Sequence, residues 1–198
     1  DGVNAPIMVA NINPVGDSID SWRHSCFTVF NNELYFKAND GTNGWELWKT
    51  DGTTLGTVIV ADINPNGDGL AAASKHSCAV FNNELYFQGN DGTNGDELWK
   101  TDGTASGTVM VHNTGSGSGN GYAKDLTVFN DELHFVSGSY IWKFDGSSVN
   151  RILSLPFPFA GSHSLLVFNN ELYFQASDGT NGQELYTNLG VYTEVTYS

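Results

Sequence analysis

The segment Phe30-Asn-Asn-Glu-Leu-Tyr-Phe36 decides the fold, because the chain carries it in four copies. It recurs from Phe81 to Phe87 and from Phe168 to Phe174, and the copy from Phe129 to Phe135 reads Phe-Asn-Asp-Glu-Leu-His-Phe. The copies start about 40 to 50 residues apart, which is the spacing of β-propeller blades. Each copy therefore predicts one blade.

The second copy indicates how one repeat unit becomes four strands. The pair Asn82-Asn83 suits a two-residue hairpin turn because asparagine tolerates positive φ, and Asp102-Gly103 predicts a second tight turn. The predicted strands are Cys78 to Phe81, Glu84 to Gln88, Glu97 to Thr101 and Gly107 to Val111. We therefore predict an all-β fold, a four-bladed β-propeller with about four antiparallel strands per blade.

The repeats leave one strand surplus. We predict a single propeller domain over residues 1-198, with blades at approximately 22-63, 74-112, 122-154 and 162-198. Residues 7-13 predict an extra outer strand, since Ile7 to Ile12 is similar to the fourth-strand segment Val58 to Ile63, yet blade four has its own candidate from Val191 to Tyr197. The surplus strand either closes the ring on blade four or pairs with an open edge of another molecule.

A family resemblance rests on two identical segments. Glu46 to Thr53 and Glu97 to Thr104 both read Glu-Leu-Trp-Lys-Thr-Asp-Gly-Thr, which resembles the ELWxxDGT repeat, and the likeness covers nearly the whole chain. The third and fourth units depart from it, with Ile141 to Gly146 and Glu184-Leu-Tyr186. The resemblance implies a secreted or cell-surface protein and no particular reaction. The four-bladed arrangement also resembles hemopexin-type propellers, in which the first strand of each blade would be innermost.

The net charge of the chain limits the classes of partner that it is expected to bind. Lys plus Arg is 8 against 22 Asp plus Glu, for a net charge of -14, which repels phosphate backbones and anionic lipid surfaces. No apolar run reaches membrane-spanning length. We expect no nucleic acid and no membrane insertion; the acidity either attracts cations or serves only solubility.

Histidines recur where the presumed inner strands begin. His24, His76 and His163 each precede a serine at matching strand starts, while the third unit has Lys124-Asp125 there. Because equivalent strand starts converge around a propeller axis, the three histidines and Asp125 form a candidate axial site for copper or zinc. The alternative is that each histidine is a repeat residue bound to the backbone of a neighbouring blade.

Calcium is the second candidate cation. The side chains of Asp62, Asn64, Asn66 and Asp68 match the first half of an EF-hand loop, but the position of the closing glutamate falls on Ala73. This pattern predicts only a weak calcium site. The Asp-Gly-Thr-Asn-Gly loops of the repeats also cluster oxygen atoms, and tight turns explain the same residues.

The two cysteines are a candidate disulfide. Cys26 lies four residues before Phe30, but Cys78 lies three before Phe81. A one-residue offset reverses the face of a strand unless a bulge absorbs it, so the two side chains can point toward each other from adjacent blades. We predict a Cys26–Cys78 bond.

The hypotheses on function depend on which residues recur in every repeat and which occur only once. Known enzyme motifs are missing, and a glutamate that recurs once per blade supplies no pair of unlike carboxylates, so no catalytic residue is predicted. Two tryptophans beside loops, Trp22 and Trp45, each occur in one copy of the repeat. We predict that they bind a ligand together with Arg23. The leading hypothesis is a secreted, non-enzymatic, cation-stabilised, lectin-like adhesion module that binds glycan or protein. The alternatives are a metal-binding redox protein or enzyme that uses the axial histidines, and a structural subunit of an extracellular assembly.

Overall fold

A computed structural model describes residues 5–19, 26–70, 78–115, 119–154, 165–177 and 180–188, and their regular structure is entirely β. Sheet one contains β1 (Thr28–Phe30), β2 (Glu33–Asn39), β3 (Trp45–Thr50) and β4 (Val58–Ala61). Sheet two contains β5 (Cys78–Phe81), β6 (Glu84–Asn90), β7 (Asp96–Thr101) and β8 (Val109–His112). Sheet three contains β9 (Lys124–Phe129), β10 (Glu132–Ser137), β11 (Tyr140–Phe144) and β12 (Val149–Ser154), and sheet four contains β13 (Leu166–Phe168), β14 (Glu171–Ser177) and β15 (Gln183–Asn188).

The four sheets confirm the all-β prediction, with one antiparallel sheet for each repeat. Strands lie side by side in chain order in every sheet. The repeated asparagine pair makes the first turn, and Asn31 and Asn32 have φ of 49° and 62°. Such left-handed residues form hairpin turns whose twist matches the strands. All four repeats use this turn.

Neighbouring sheets pack face to face along the chain. We call the side of a sheet that points to the next sheet its forward face and the opposite side its rear face. Phe30, Tyr35 and Leu47 on the forward face of sheet one pack with Phe87 and Trp99 on the rear face of sheet two. Matching clusters join sheet two to sheet three and sheet three to sheet four. Each buried aromatic or aliphatic side chain stabilises these interfaces by about 1.5–3 kcal/mol.

The first strands of successive sheets are neighbours. Strand β1 contacts β5, β5 contacts β9, and β9 contacts β13, which is a propeller-like arrangement. The forward face of sheet four differs from the others, since Phe168 and Leu185 are 58% and 74% exposed whereas the equivalent Phe30 and Leu47 are 4% and 0% exposed. Among the described residues, this face of sheet four is therefore exposed.

The extra outer strand predicted for residues 7-13 is wrong. This segment carries no strand, and Ile7 is exposed to solvent. Its polar backbone groups bond elsewhere: the Val9 carbonyl accepts from the Thr54 hydroxyl at 2.7 Å, and the Asn13 N–H donates to Ser18 Oγ at 2.8 Å. The alternative fourth strand, Val191 to Tyr197, lies outside the described residues.

A disulfide joins Cys26 to Cys78, with 5.7 Å between the Cα atoms. Cys26 lies just before β1 and Cys78 begins β5, so the bond links the first strands of two sheets. Cys26 is left-handed, with φ of 51°.

Candidate functional site

The loops that join the second and third strands form rigid, repeated turns. The Asp40 carboxylate accepts hydrogen bonds from the Thr42 and Asn43 N–H groups at 2.8 Å and from Asn43 Nδ2 at 2.7 Å. Asp91 repeats this arrangement in sheet two. Partial burial acts to raise the pKa of each aspartate, but the bonds from backbone and amide groups outweigh it and lower the pKa.

A buried glutamate holds the connection that leaves each of the first two sheets. Glu46 is fully buried, and its carboxylate accepts from the Ile63 N–H at 3.1 Å and the Gly69 N–H at 2.8 Å. Glu97 does the same for the next connection, from the N–H groups of Thr114 at 2.7 Å and Gly121 at 3.0 Å. Burial raises the pKa of Glu46 to about 7, although the backbone hydrogen bonds oppose that shift.

A glycine at position 69 makes room for this contact, since a Cβ there would collide with the Glu46 carboxylate and displace it. Sequence reasoning missed this role of Glu46 and Glu97. The available signal was the glutamate repeated before Leu-Trp in both units, which is followed by a glycine-containing connection.

In sheets one, two and three, the glutamate at the start of the second strand forms an ion pair with a lysine. Lys49 Nζ lies 3.0 Å from Glu33, and Lys100 Nζ lies 2.9 Å from Glu84. The Tyr35 hydroxyl also donates to Glu33 at 3.3 Å. Burial, together with the nearby Glu33 charge, raises the pKa of Tyr35 to about 12. These contacts engage Glu33 and Glu84 within the fold.

The predicted calcium residues bind one another and the neighbouring strand. Asn64 Oδ1 accepts from the Asn66 N–H at 3.3 Å, Asn64 Nδ2 donates to the Asp68 carbonyl at 3.3 Å, and Asp68 Oδ1 accepts from the Trp45 N–H at 3.1 Å. Asp62 is exposed. Within the described ranges, no three acidic, histidine or cysteine side chains are grouped to hold a metal ion. A calcium site in this loop stays a prediction.

The axial site can be described only at Asp125, because His24, His76 and His163 lie outside the described residues. Asp125 is 1% exposed, and its Oδ2 atom is buried without a hydrogen-bond partner. Burial raises the pKa of Asp125 to about 6, against the lowering effect of the Lys124 charge. A buried carboxylate with an open lone pair suits a cation or a proton.

Trp45 is the only described member of the predicted ligand site, because Trp22 and Arg23 lie outside the described ranges. It begins β3 and is half-buried, and the Lys37 ammonium lies 5.0 Å from the centre of its ring. Its backbone N–H donates to Asp68 Oδ1, so the residue lies next to the connection after β4. Trp45 therefore belongs to the end of the molecule that carries the Asp40 and Asp91 turns, which we call the loop end.

Comparison with known proteins does not show a family. A scan against models of protein families gives no match, and neither does a search of curated proteins. Among solved structures, the chain is similar to a novel alpha-L-arabinofuranosidase (CtGH43) from Clostridium thermocellum ATCC 27405, at 15% identity and a TM-score of 0.36 over 77% of this chain. The chain spans 60% of the length of that structure, and a likeness at this level assigns neither fold nor activity.

A membrane-spanning helix is also absent from the part of the chain that the structure describes, where no helix has the length and apolar character that a span requires.

Proposed function

We propose that this chain is a secreted, non-enzymatic binding module that recognises glycan or protein through its loop end. One observation carries the proposal: the recurring acidic side chains of sheets one and two are all occupied by contacts within the fold. Glu33 and Glu84 pair with lysines, Asp40 and Asp91 bind their own turns, and Glu46 and Glu97 hold connecting loops. An acid–base enzyme needs carboxylates in unlike environments that face a substrate, and these residues supply neither.

The loop end offers the same polar surface more than once. Thr42 and Thr93 are exposed at the tips of turns that Asp40 and Asp91 hold rigid, and Trp45 lies beside the first of them. A preorganised turn loses little conformational entropy on binding, and a half-buried tryptophan provides an apolar surface against which a sugar ring stacks. Repetition suits a polymer with repeated units, because two weak contacts on one ligand add to its avidity.

The proposal is tested on an array of immobilised neutral and sulfated glycans with fluorescently labelled protein. We expect binding by the natural chain and at least a roughly tenfold loss in a Trp45→Ala, Thr42→Ala, Thr93→Ala variant. Leu55→Ala is the matched control, because Leu55 is 94% exposed in the turn at the opposite end of sheet one. Equal binding by all three proteins, or release of reducing sugar ends from the array, would contradict the proposal.

A metal-dependent function at the propeller axis is the second candidate, and the unpaired Oδ2 of Asp125 favours it. In this reading Asp125 joins His24, His76 and His163 around copper or zinc. Elemental analysis of the purified protein separates the two candidates, since stoichiometric copper or zinc supports the metal site. Calorimetric titration of metal-stripped protein then compares the natural chain with His76→Ala, for which we expect affinity at least about tenfold weaker. A structural role in an extracellular assembly is the third candidate.

The finer fold prediction belongs to the same proposal. We infer that the four sheets are four blades of a β-propeller and that β1, β5, β9 and β13 lie nearest its axis. The sequential contacts of these strands support this arrangement.

A further inference from the structure

Sheet three departs from the repeat at two neighbouring positions. Arg151 of β12 pairs with Trp142 of β11. Ile59 and Met110 stand opposite the equivalent tryptophans of sheets one and two, so the repeat predicts an apolar residue at this position. Tyr140, two residues before Trp142, replaces the glutamate that holds the connecting loop in those two sheets. In sheet three a cation has therefore replaced an apolar side chain, and a phenol has replaced a carboxylate.

A third departure faces this pair from sheet two. His112 ends β8 at the position that Ala61 has in sheet one, and its ring centre lies 5.7 Å from that of Trp142. The Arg151 guanidinium lies over the same indole, 5.4 Å from its ring centre, and 4.8 Å from the ring centre of Tyr140. Three residues that the repeat does not explain therefore meet around one tryptophan. We call His112, Tyr140 and Arg151 the rim site.

The polar groups of the rim site are open in the part of the chain that the structure describes. No described residue hydrogen-bonds the Arg151 guanidinium, the Tyr140 hydroxyl or the His112 imidazole, and no described carboxylate pairs with Arg151. The lysines of the third strands differ, since each of them pairs with the glutamate of its own sheet. Arg151 is exposed, so its N–H donors are accessible to a ligand.

The chemistry of these groups suits an isolated carboxylate. Two aromatic rings hold the guanidinium by cation–π attraction, and a guanidinium binds a carboxylate through two parallel hydrogen bonds. The Tyr140 hydroxyl and a His112 N–H are further donors beside it. The net charge of -14 repels a polyanion, so the ligand carries few charges. Tyr140 begins β11 directly after the turn from β10, which places the rim site at the loop end.

We propose that the rim site binds the carboxylate of a single uronic acid within an otherwise neutral glycan. Arg151 donates two hydrogen bonds to the carboxylate, and Tyr140 and His112 donate to oxygen atoms beside it. A sugar is favoured over an acidic peptide because a peptide of this kind carries several negative charges that the acidic surface opposes. The inference rests on the proposed glycan binding at the loop end and names the class of glycan.

Titration with two matched sugars, followed by heteronuclear NMR, tests the proposal. Methyl glucuronide carries one carboxylate, and methyl glucoside is the same sugar with a hydroxymethyl group in that place. We expect the glucuronide to shift the side-chain resonances of Arg151 and Trp142 and to bind about tenfold more tightly than the glucoside, because only the glucuronide accepts charge-assisted hydrogen bonds.

The repeat itself supplies the variants. Arg151→Met gives sheet three the residue that sheet two has at this position, so we expect an unchanged circular dichroism spectrum and roughly tenfold weaker glucuronide binding, with glucoside binding unchanged. Arg151→Lys keeps the charge without the paired donors, and its affinity is expected to fall between the two. Lys124→Met is the matched control, because it removes the same charge from β9 at the other edge of sheet three.

The remaining outcomes overturn the assignment. They are no binding of methyl glucuronide, equal affinity for both sugars, or an equal loss in Arg151→Met and Lys124→Met. Tighter binding of an aspartate-rich peptide than of the glucuronide would also overturn it and would assign the rim site to acidic peptides. Failure of the proposed function is seen separately, as a lack of binding to every glycan on the array.

Discussion

Truncating the equivalent leucine in sheets one and four distinguishes a buried sheet face from an exposed one. Leu47 and Leu185 both precede the aromatic residue of the third strand, but Leu47 is 0% exposed and Leu185 is 74% exposed. Leu47→Ala removes contacts with sheet two and leaves a cavity, which costs about 2–5 kcal/mol of unfolding free energy. Leu185→Ala removes atoms that water already surrounds, so we expect a change within about 0.5 kcal/mol in the monomer.

Urea denaturation followed by tryptophan fluorescence and far-UV circular dichroism measures both values. The protein concentration is kept low enough for sedimentation to show only monomer. Leu98→Ala provides the matched control, since Leu98 is equally buried between sheets two and three and is expected to lose as much stability as Leu47→Ala. A loss for Leu185→Ala as large as for Leu47→Ala would refute the reasoning, because it would mean that sheet four is covered within a single chain.

Three further predictions follow from buried and cross-linked groups. The pKa of Glu46 is raised from 4.5 to about 7, so the unfolded chain loses this proton at a lower pH than the folded chain does. The free energy of unfolding therefore falls by about 3 kcal/mol as the pH rises from about 4.5 to 7. We expect Glu46→Gln to flatten this pH dependence in urea denaturation measured at each pH. Asp125→Asn, which removes a buried carboxylate with an unpaired oxygen, raises the thermal midpoint at pH 8 more than at pH 5, as calorimetry would measure. Reducing the Cys26–Cys78 bond, which spans 52 residues, costs about 4 kcal/mol, and thiol titration of the unreduced, unfolded protein finds no free thiol.

The local part of the fold was predictable because its causes are local. The asparagine pair and the alternating Leu and Phe of the repeat predicted the hairpin of β5 and β6, and β5 runs over Cys78–Phe81 as expected. The later strands shift by a residue or two: β7 begins at Asp96 and β8 covers Val109–His112. The register of β7 and β8 also shifts between Leu98 and Trp99, where β8 carries an extra residue. Pattern alone does not reveal such a bulge.

Residues 7–12 failed as a strand for a nonlocal reason. Their sequence has the same continuous apolar run as β4, but a strand forms only where another strand edge accepts its backbone hydrogen bonds. β4 has β3 beside it, whereas none of the described strands pairs with the N-terminal segment, which instead bonds through Val9 and Asn13 to loop side chains. Similarity to β4 shows that the segment could form a strand, but a strand forms only if a neighbouring strand pairs with it.

The hydrogen bonds between Glu46 and the connection after β4 could not be predicted from the sequence for a related reason. The acceptor Glu46 is visible in the sequence, but its donors are backbone N–H groups 17 and 23 residues away, and backbone groups carry no sequence signal. The burial of Asp125 is equally nonlocal, since packing around β9 creates it. The residue types indicated which side chains were candidates for a site, but packing determined their burial and their hydrogen bonds.

The one-residue offset between the cysteines has a structural explanation that also applies to sheet three. Cys26 and Asp125 both lie four residues before the shared phenylalanine of their repeat, and both are left-handed, with φ of 51° and 57°. In sheet three the register also shifts between His134 and Val136, opposite this position. Cys78, three residues before its phenylalanine, pairs regularly with Phe87. The extra residue therefore lies in a β-bulge of β9 in sheet three and just before β1 in sheet one, where Cys26 comes within bonding distance of the next sheet.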